Sequence, residues 1–227
     1  MALTSEEISR KVLHIFSGAI IPAGILYLPV AARAGRLPSG IAPSAYPVIV
    51  LAAVLAIFLV VEFVRLRVGS MQKVFTACFG TMLRREESGT MTGATYIVMS
   101  SLICSVLFLH RPAIAFMSLS TFIWGDAVAA VVGLSVGRIR IGSKSLEGSL
   151  ACFTMCLIMY VALFPRVPLL LDSWGGTLPV AMSLCASLCT TLLELVPVRL
   201  ARRFDINDNL TVPVATGLLI LLLDSLF

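Results

Sequence analysis

The chain alternates long apolar runs with short polar segments. Seven of the runs approach the length of about 20 residues that a helix needs to cross a bilayer, and the fifth is the shortest. Because a membrane span must satisfy its own backbone hydrogen bonds, these runs predict helices. The expected fold is a single all-α polytopic membrane domain, residues 1–227, with about seven transmembrane helices at residues 12–32, 46–64, 93–109, 113–136, 149–164, 178–196 and 210–227.

One polar segment, residues 65–91, has a helical pattern of its own. Apolar side chains recur there at intervals of three and four residues, at Met71, Val74, Phe75, Cys78, Phe79 and Met82. Basic residues accompany this stripe, at Arg67, Lys73, Arg84 and Arg85. The pattern is typical of a short amphipathic helix that lies in the membrane interface, with its cations near anionic headgroups.

The composition supports a membrane protein and excludes a soluble domain. Of the 227 residues, 59% are hydrophobic and 13% are charged, whereas about a quarter of the residues in a soluble domain are charged. The mean hydropathy is +1.01. The lipid bilayer is therefore an expected partner, and nucleic acid is not.

The Lys and Arg residues predict the orientation of the chain in the membrane. Seven spans place the two termini on opposite sides. Thirteen of the 17 Lys and Arg residues then share the side of the N-terminus, and the remaining four are Arg33, Arg36, Arg111 and Arg166. The positive-inside rule places the N-terminus and its accompanying loops in the cytoplasm and the C-terminus on the opposite side.

The stretch 124–150 differs most from a lipid-facing sequence. Asp126 lies inside an apolar run, where a charge is costly and needs a specific role. Small residues recur at every fourth position, at Gly125, Ala129, Gly133 and Gly137, and a polar loop then carries Arg138, Arg140, Lys144 and Glu147. Two interpretations stay open, namely a carboxylate facing a basic loop that holds a polyphosphate, or a helix-packing stripe with a paired acid.

Further acids fall on the predicted cytoplasmic side, at Glu62, Glu147, Glu194, Asp205 and Asp208. Acids and bases gathered on one side suit a multiply charged nucleotide that arrives from the cytosol. A transporter is the competing class. It would carry ionisable residues in the middle of more than one span, whereas the apolar runs here are largely free of them apart from Asp126.

Six segments, taken in order, resemble the CTP-dependent lipid kinases, a group that includes dolichol or polyprenol kinases, phytol kinases and CTP-using diacylglycerol kinases. The segments are RKVLHIFSG at 10–18, ExxR at 62–65, LRREESGTMTGATY at 83–96, GDAVAAVVGLSVGR at 125–138, KSLEGS at 144–149 and NDNLTVPVATG at 207–217. The central segments also resemble phosphatidate cytidylyltransferases, which are the alternative function. The ending that starts at Asp208 resembles the kinases instead.

The resemblance implies transfer of the γ-phosphate of CTP, or of another nucleoside triphosphate, to a lipid alcohol such as a polyprenol, dolichol, a phytol-type alcohol or diacylglycerol. Phosphoryl transfer needs a divalent cation, here Mg²⁺, and cations on the phosphate oxygens. The implied catalytic and metal-binding residues are Asp126, Asp208 and Glu147. The implied nucleotide-binding residues are Arg138, Lys144, Ser145, Gly133, Gly137, Arg10, Lys11, His14, Arg85, Asn207 and Asn209. The sequence also allows a homodimer.

Overall fold

The computed structural model describes residues 5–80, 87, 89–142, 144–196, 199–201, 204–205 and 207–226, with side chains from Ile15 onward except Ser17 and residues 199–205. Each of the seven predicted apolar runs contains a helix, and one further helix lies in the predicted amphipathic segment. The helices are α1 (Ser5–Arg33), α2 (Ala45–Arg67), α3 (Gly69–Phe79), α4 (Gly93–Leu107), α5 (Pro112–Ser135), α6 (Leu146–Ile158), α7 (Val180–Leu195) and α8 (Asp208–Asp224).

The lengths of these helices support a membrane protein. Within the described residues, three helices are long and apolar enough to cross a bilayer, namely α2, α5 and the combined helix Leu146–Arg166. The combined helix consists of α6, a π-helical turn (Met159–Leu163) and a 3-10 turn (Phe164–Arg166). Shorter apolar helices lie at Gly18–Arg33, in α4 and in α7. The predicted membrane class is thus supported, whereas the count of seven crossings stays a prediction.

Helix α5 lies at the centre of the bundle and α2 lies on its outside. Helix α5 packs along α1, α6 and α8. In the most apolar 18-residue stretch of each helix, 67% of the α5 residues are buried but only 17% of the α2 residues. The exposed side chains of α2 are large and apolar, and include Ile57, Val60 and Phe63. Helix α5 therefore forms the core, while α2 presents a surface suited to lipid.

Helix α3 is separate from the bundle core. It follows α2 after a single extended residue, Val68, and none of its residues is buried. The Phe75 ring contacts α2, with the ring centroid 5.1 Å from the Arg65 guanidinium carbon. A helix is confirmed over Gly69–Phe79, whereas Met82, Arg84 and Arg85 of the predicted pattern lie outside the described residues. Its location in the membrane interface stays a prediction.

Buried hydroxyl groups join α7 to α8. Thr190 and Thr191 of α7 each donate a hydrogen bond to the carbonyl oxygen four residues earlier, at 3.1 and 2.8 Å. Thr190 Oγ1 also lies 3.1 Å from Thr216 Oγ1 of α8. Such bonds satisfy polar groups inside an apolar bundle. They also hold together the two helices whose adjoining ends carry Glu194 and Asp208.

Two short antiparallel hairpins, which the all-α prediction did not include, connect helices at this end of the bundle. Strand β1 (Arg140–Ile141) pairs with β2 (Lys144–Ser145) between α5 and α6. Strand β3 (Arg199–Ala201) pairs with β4 (Phe204–Asp205) between α7 and α8. Gly142 turns the first hairpin with a φ of 63°, in the left-handed region that glycine adopts without strain. The first hairpin places Lys144 directly before α6.

Candidate functional site

A half-buried lysine connects three elements at one end of the bundle. Nζ of Lys144, on β2, lies 2.5 Å from Oε1 of Glu194 in the last turn of α7. The same nitrogen lies 3.5 Å from Oδ2 of Asp208 in the first turn of α8, and it donates to the main-chain oxygen of Glu194. Asp126 of α5 interacts electrostatically with both Lys144 and Glu194. These four residues are termed the lysine cluster.

The lysine cluster contains more acids than bases. The Glu194 residue is 3% exposed, while the side chains of Lys144 and Asp208 are 24% and 23% exposed. Burial lowers the pKa of Lys144, but the attraction and hydrogen bond of Glu194, together with the attraction of Asp208 and Asp126, outweigh burial and raise this pKa. Lys144 is therefore an ammonium at neutral pH, and one positive charge faces three carboxyl groups.

One oxygen atom of Glu194, in the lysine cluster, has no hydrogen-bond partner among the described residues. Within the described part of the chain, Oε2 of Glu194 is buried and accepts no hydrogen bond, although Oε1 of the same carboxylate contacts Lys144. A buried carboxylate oxygen without a partner is destabilising. The site therefore has unused capacity for a cation or a hydrogen-bond donor.

These donor atoms fit Mg²⁺ when a nucleotide shares it. Mg²⁺ prefers oxygen ligands and is usually held by one or two carboxylates together with phosphate oxygens and water. Among the residues that the structure describes, no group of three or more His, Cys, Asp or Glu side chains is placed to hold a metal ion. Glu194 and Asp208 both contact the Lys144 ammonium. Two carboxylates match a site in which protein and nucleotide both supply ligands to the ion, rather than a site formed by protein ligands alone.

Glu147 contacts the backbone of the loop before the first hairpin. Its Oε1 accepts hydrogen bonds from the amides of Arg138 and Ile139, at 2.9 and 3.2 Å. The Ile139 carbonyl oxygen in turn accepts a bond of 2.9 Å from the Leu146 amide. Glu147 therefore fastens this loop to the start of α6, while the Arg138 side chain is exposed on the loop. A role of Glu147 as a metal ligand stays a prediction.

The small residues of α5 pack against α6. A Cβ atom added at Gly133 or at Gly137 would lie 2.8 or 2.7 Å from Ser145 Oγ. A Cβ atom at Gly148 would lie 2.6 Å from the Ala129 carbonyl oxygen. Ser145 Oγ itself caps α6, because it accepts a 3.1 Å bond from the Gly148 amide. Close helix packing accounts for the stripe, and contact of a nucleotide with Gly133, Gly137 or Ser145 stays a prediction.

A second polar cluster lies where α2 ends and α4 begins. Arg65 donates to Glu62 Oε2 through Nε at 3.0 Å, and to the carbonyl oxygens of Glu87 and Thr90 at 3.0 and 2.7 Å. Glu62 Oε1 accepts from the amide and the hydroxyl of Thr92, at 2.8 and 2.7 Å. Glu62 and Arg65 are both buried. These five residues are termed the arginine cluster, and they fix the segment before α4.

Asn209 links the arginine cluster to Asp208. Its Nδ2 donates to the Gly93 carbonyl oxygen at 3.2 Å, and Gly93 directly follows Thr92. A Cβ atom at Gly93 would lie 2.6 Å from Asn209 Nδ2, so the close approach requires glycine there unless Asn209 moves. Asn207 caps α8 by accepting a 3.0 Å bond from the Asn209 amide. Three of the sequence motifs therefore form one bonded structure that sets the position of Asp208.

The structure brings together some of the predicted site residues and adds others. Lys144 contacts Asp208 and interacts electrostatically with Asp126. Their partner Glu194 was noted among the acids on this side but was not predicted as a site residue. Glu194 is a lone acid near the end of an apolar run, which is the signal that had marked Asp126. The predicted nucleotide-binding residues whose side chains lie outside the described residues are Arg10, Lys11, His14 and Arg85.

Comparison with known proteins identifies relatives that cover most of the chain. The phytol kinase of Synechocystis sp. is 27% identical over 226 residues, which are 96% of this chain and 80% of that protein. Phytol kinase 1 (chloroplastic) of Arabidopsis thaliana is 27% identical over 218 residues, 93% of this chain and 64% of that protein. An uncharacterized protein of Rickettsia prowazekii is 24% identical over 212 residues, 92% of this chain and 90% of that protein. No family model and no solved structure matches the chain.

The two phytol kinases agree with the resemblance that the six sequence segments indicate. Each alignment covers more than nine tenths of the chain, so the likeness extends well beyond those segments. The chain is therefore similar to the phytol kinases over nearly its whole length, which supports a relationship to lipid kinases at the level of the family.

Proposed function

We propose that the protein is a membrane lipid kinase that transfers the γ-phosphate of CTP, or of another nucleoside triphosphate, to the hydroxyl of a lipid alcohol. The lysine cluster carries this proposal, because it gathers an ammonium and three carboxyl groups at one end of an apolar helix bundle. A phytol-type isoprenoid alcohol is the leading substrate class, since the named relatives are phytol kinases. Polyprenols, dolichol and diacylglycerol are the further classes.

The residues of the site match the needs of phosphoryl transfer, which are positioning and charge stabilisation. Bound Mg²⁺ supplies charge neutralisation on the phosphate oxygens. Asp126 and Asp208 hold the cation or accept the proton of the lipid hydroxyl, and Lys144 binds phosphate oxygens as a point charge. Glu147 holds the loop from which the exposed Arg138 reaches the outer phosphates.

The two substrates approach from different sides. The lipid alcohol enters sideways from the bilayer, with its tail along the apolar surface of the helices and its hydroxyl at the end of the bundle that carries the lysine cluster. The nucleotide arrives from the cytoplasm, because the Lys and Arg distribution orients this end inward. The N-terminus then lies in the cytoplasm and the C-terminus on the opposite side.

A second candidate is a phosphatidate cytidylyltransferase. The segments at 125–138 and 144–149, which form α5, the first hairpin and the start of α6, favour it through their resemblance to those enzymes. The two reactions differ in the phosphorus atom that is attacked. A kinase transfers the γ-phosphoryl group, whereas a cytidylyltransferase joins the α-phosphoryl group to the lipid.

Position-specific labelling of CTP distinguishes the two reactions. Purified protein receives Mg²⁺ and CTP labelled at the α or the γ phosphorus, together with phytol, a polyprenol, diacylglycerol or phosphatidate. We expect γ label in a lipid monophosphate and none from the α position. Label from the α position in lipid would contradict the kinase and support the alternative.

Asp172→Asn, at an exposed residue, should retain transfer and serves as the control for Asp126→Asn, which should lose it.

A further inference from the structure

We infer that Glu194 is a cation-binding residue of the site. In the nucleotide-free protein, the Lys144 ammonium lies between Glu194 and Asp208, in the position that a divalent cation takes when nucleotide binds. Lys144 then exchanges its carboxylate partners for phosphate oxygens. This exchange for phosphate oxygens rests on the proposed function. The competition between Lys144 and a metal ion for the two carboxylates can be tested without nucleotide or lipid.

The contacts of Glu194 indicate a binding role in addition to a structural one. Its residue is almost fully buried, yet only Oε1 is paired, and Oε2 has no hydrogen-bond partner among the described residues. In the arginine cluster, by contrast, both oxygens of the buried Glu62 accept hydrogen bonds. A carboxylate that served packing alone would be expected to have both oxygens satisfied, because the unpaired oxygen is destabilising. The unpaired oxygen of Glu194 is therefore suited to bind a cation.

The charges favour a divalent ion over the ammonium alone. Lys144 brings one positive charge to Glu194, Asp208 and Asp126, so repulsion among the three carboxyl groups is only partly relieved. A divalent ion between Glu194 and Asp208 would relieve it further. Phosphate oxygens and water would complete the coordination, as is usual for Mg²⁺.

The side chain of Lys144 has room to change its partners. Its side chain is about a quarter exposed, it lies on a two-residue strand, and the turn of its hairpin contains Gly142. A lysine has a flexible four-carbon stem and a compact charge, so the ammonium can turn toward phosphate without displacement of α7 or α8. Glu194 and Asp208 remain in place for the metal ion, because the Thr190–Thr216 contact joins α7 to α8.

Mn²⁺ binding tests this competition directly. The full-length protein in detergent is titrated with Mn²⁺ in the absence of nucleotide and lipid, and free Mn²⁺ is measured by electron paramagnetic resonance. Lys144→Met should bind Mn²⁺ about ten-fold more tightly than the parent protein, because a competing unit charge is removed from between two carboxylates. Adding Glu194→Gln to Lys144→Met should abolish the gain. Lys73→Met, the same change at an exposed residue of α3, should leave Mn²⁺ affinity unchanged.

Two results would overturn the inference. One is an Mn²⁺ affinity of folded Lys144→Met equal to that of the parent, and the other is a tighter binding that survives Glu194→Gln. Gel filtration and the thermal unfolding midpoint verify the fold, and Lys144→Gln repeats the test if the Met variant does not fold. The Mn²⁺ result is independent of the labelled-CTP result, so the cation site and the lipid kinase reaction can fail separately.

Discussion

The arginine cluster and the lysine cluster lie at the same end of the bundle, and each pairs a base with a buried glutamate. In the arginine cluster, the guanidinium of Arg65 bonds to one carboxylate and two carbonyl oxygens, while both oxygens of Glu62 are occupied. In the lysine cluster, one ammonium serves two carboxylates, and one buried oxygen of Glu194 has no partner in the described chain.

The difference in pairing indicates a difference in role. Full pairing rigidifies a structure, and the bonds of Arg65 hold the segment before α4 in one conformation. Incomplete pairing leaves charge available to a ligand, which stabilises the protein only when it binds. We therefore expect substitutions in the arginine cluster mainly to lower the free energy of unfolding, and substitutions in the lysine cluster mainly to lower the reaction rate.

Arg65→Met should give the largest effect in the arginine cluster. It leaves the Glu62 carboxylate buried without its base, and removal of one partner from a buried ion pair costs about 3–5 kcal/mol. We expect a fall of this order in the free energy of unfolding, measured by denaturation in detergent. Arg65→Lys should restore little of the loss, because an ammonium cannot bond to three separated oxygens as the guanidinium does.

Arg67→Met is the matched control for that change. Arg67 lies one residue beyond Leu66 on the same helix, but it is exposed and stacks on the Phe63 ring. An exposed interaction of this kind contributes about 1 kcal/mol or less. If Arg65→Met were no less stable than Arg67→Met, full pairing would not be what holds the segment before α4.

Asp126→Asn should have the opposite profile. The amide keeps the shape of the side chain but removes the charge that acts on Lys144 and Glu194. Single electrostatic groups in active sites contribute about 10²- to 10³-fold in rate, so we expect a loss of this size in kcat with an unfolding midpoint close to that of the parent. Asp208→Asn should behave similarly. Near-normal turnover of Asp126→Asn would remove Asp126 from the site.

Gly148→Ala tests whether helix packing positions Lys144. The added Cβ would lie 2.6 Å from the Ala129 carbonyl oxygen, so α6 must move away from α5. Overpacking typically costs about 1–3 kcal/mol, and the hairpin that carries Lys144 should move with α6, which lowers turnover as well as stability. Gly24→Ala is the control, since a Cβ there meets only the Leu28 side chain at 3.9 Å. Equal unfolding midpoints for the two variants would contradict close packing at Gly148.

The helices were predictable from the sequence because the membrane imposes them. An apolar run of sufficient length must be helical to satisfy its backbone, so the pattern alone located a helix in each run. The same pattern placed α3, whose apolar residues recur at helical spacing next to Lys73. The number of crossings does not follow as directly, since α4 and α7 are shorter than the runs that predict them.

The partners within the site were less predictable. An isolated acid in an apolar run marks Asp126, but nothing local indicates that Lys144 pairs with Glu194, which lies 50 residues further along the chain. The spacing of Gly133 and Gly137 was compatible with a ligand groove and with helix packing, and the close approach of both glycines to Ser145, which caps α6, supports packing. Pairing depends on how helix ends meet in space, which hydrophobic periodicity does not encode.

Glu147→Gln should give the smallest effect, and it decides to which kind of cluster Glu147 belongs. Its carboxylate accepts hydrogen bonds from the Arg138 and Ile139 amides, and the Gln carbonyl oxygen can accept the same bonds. If Glu147 only fastens the loop, kcat should fall a few-fold at most, and the KM for nucleotide should change little. If Glu147 instead binds Mg²⁺, loss of its charge should resemble Asp126→Asn and lower kcat by about 10²-fold or more. Glu147→Ala is the companion variant, because it removes the hydrogen bonds as well as the charge. A loop-fastening role therefore requires Glu147→Ala to be clearly worse than Glu147→Gln, whereas a metal ligand requires the two variants to be equally impaired.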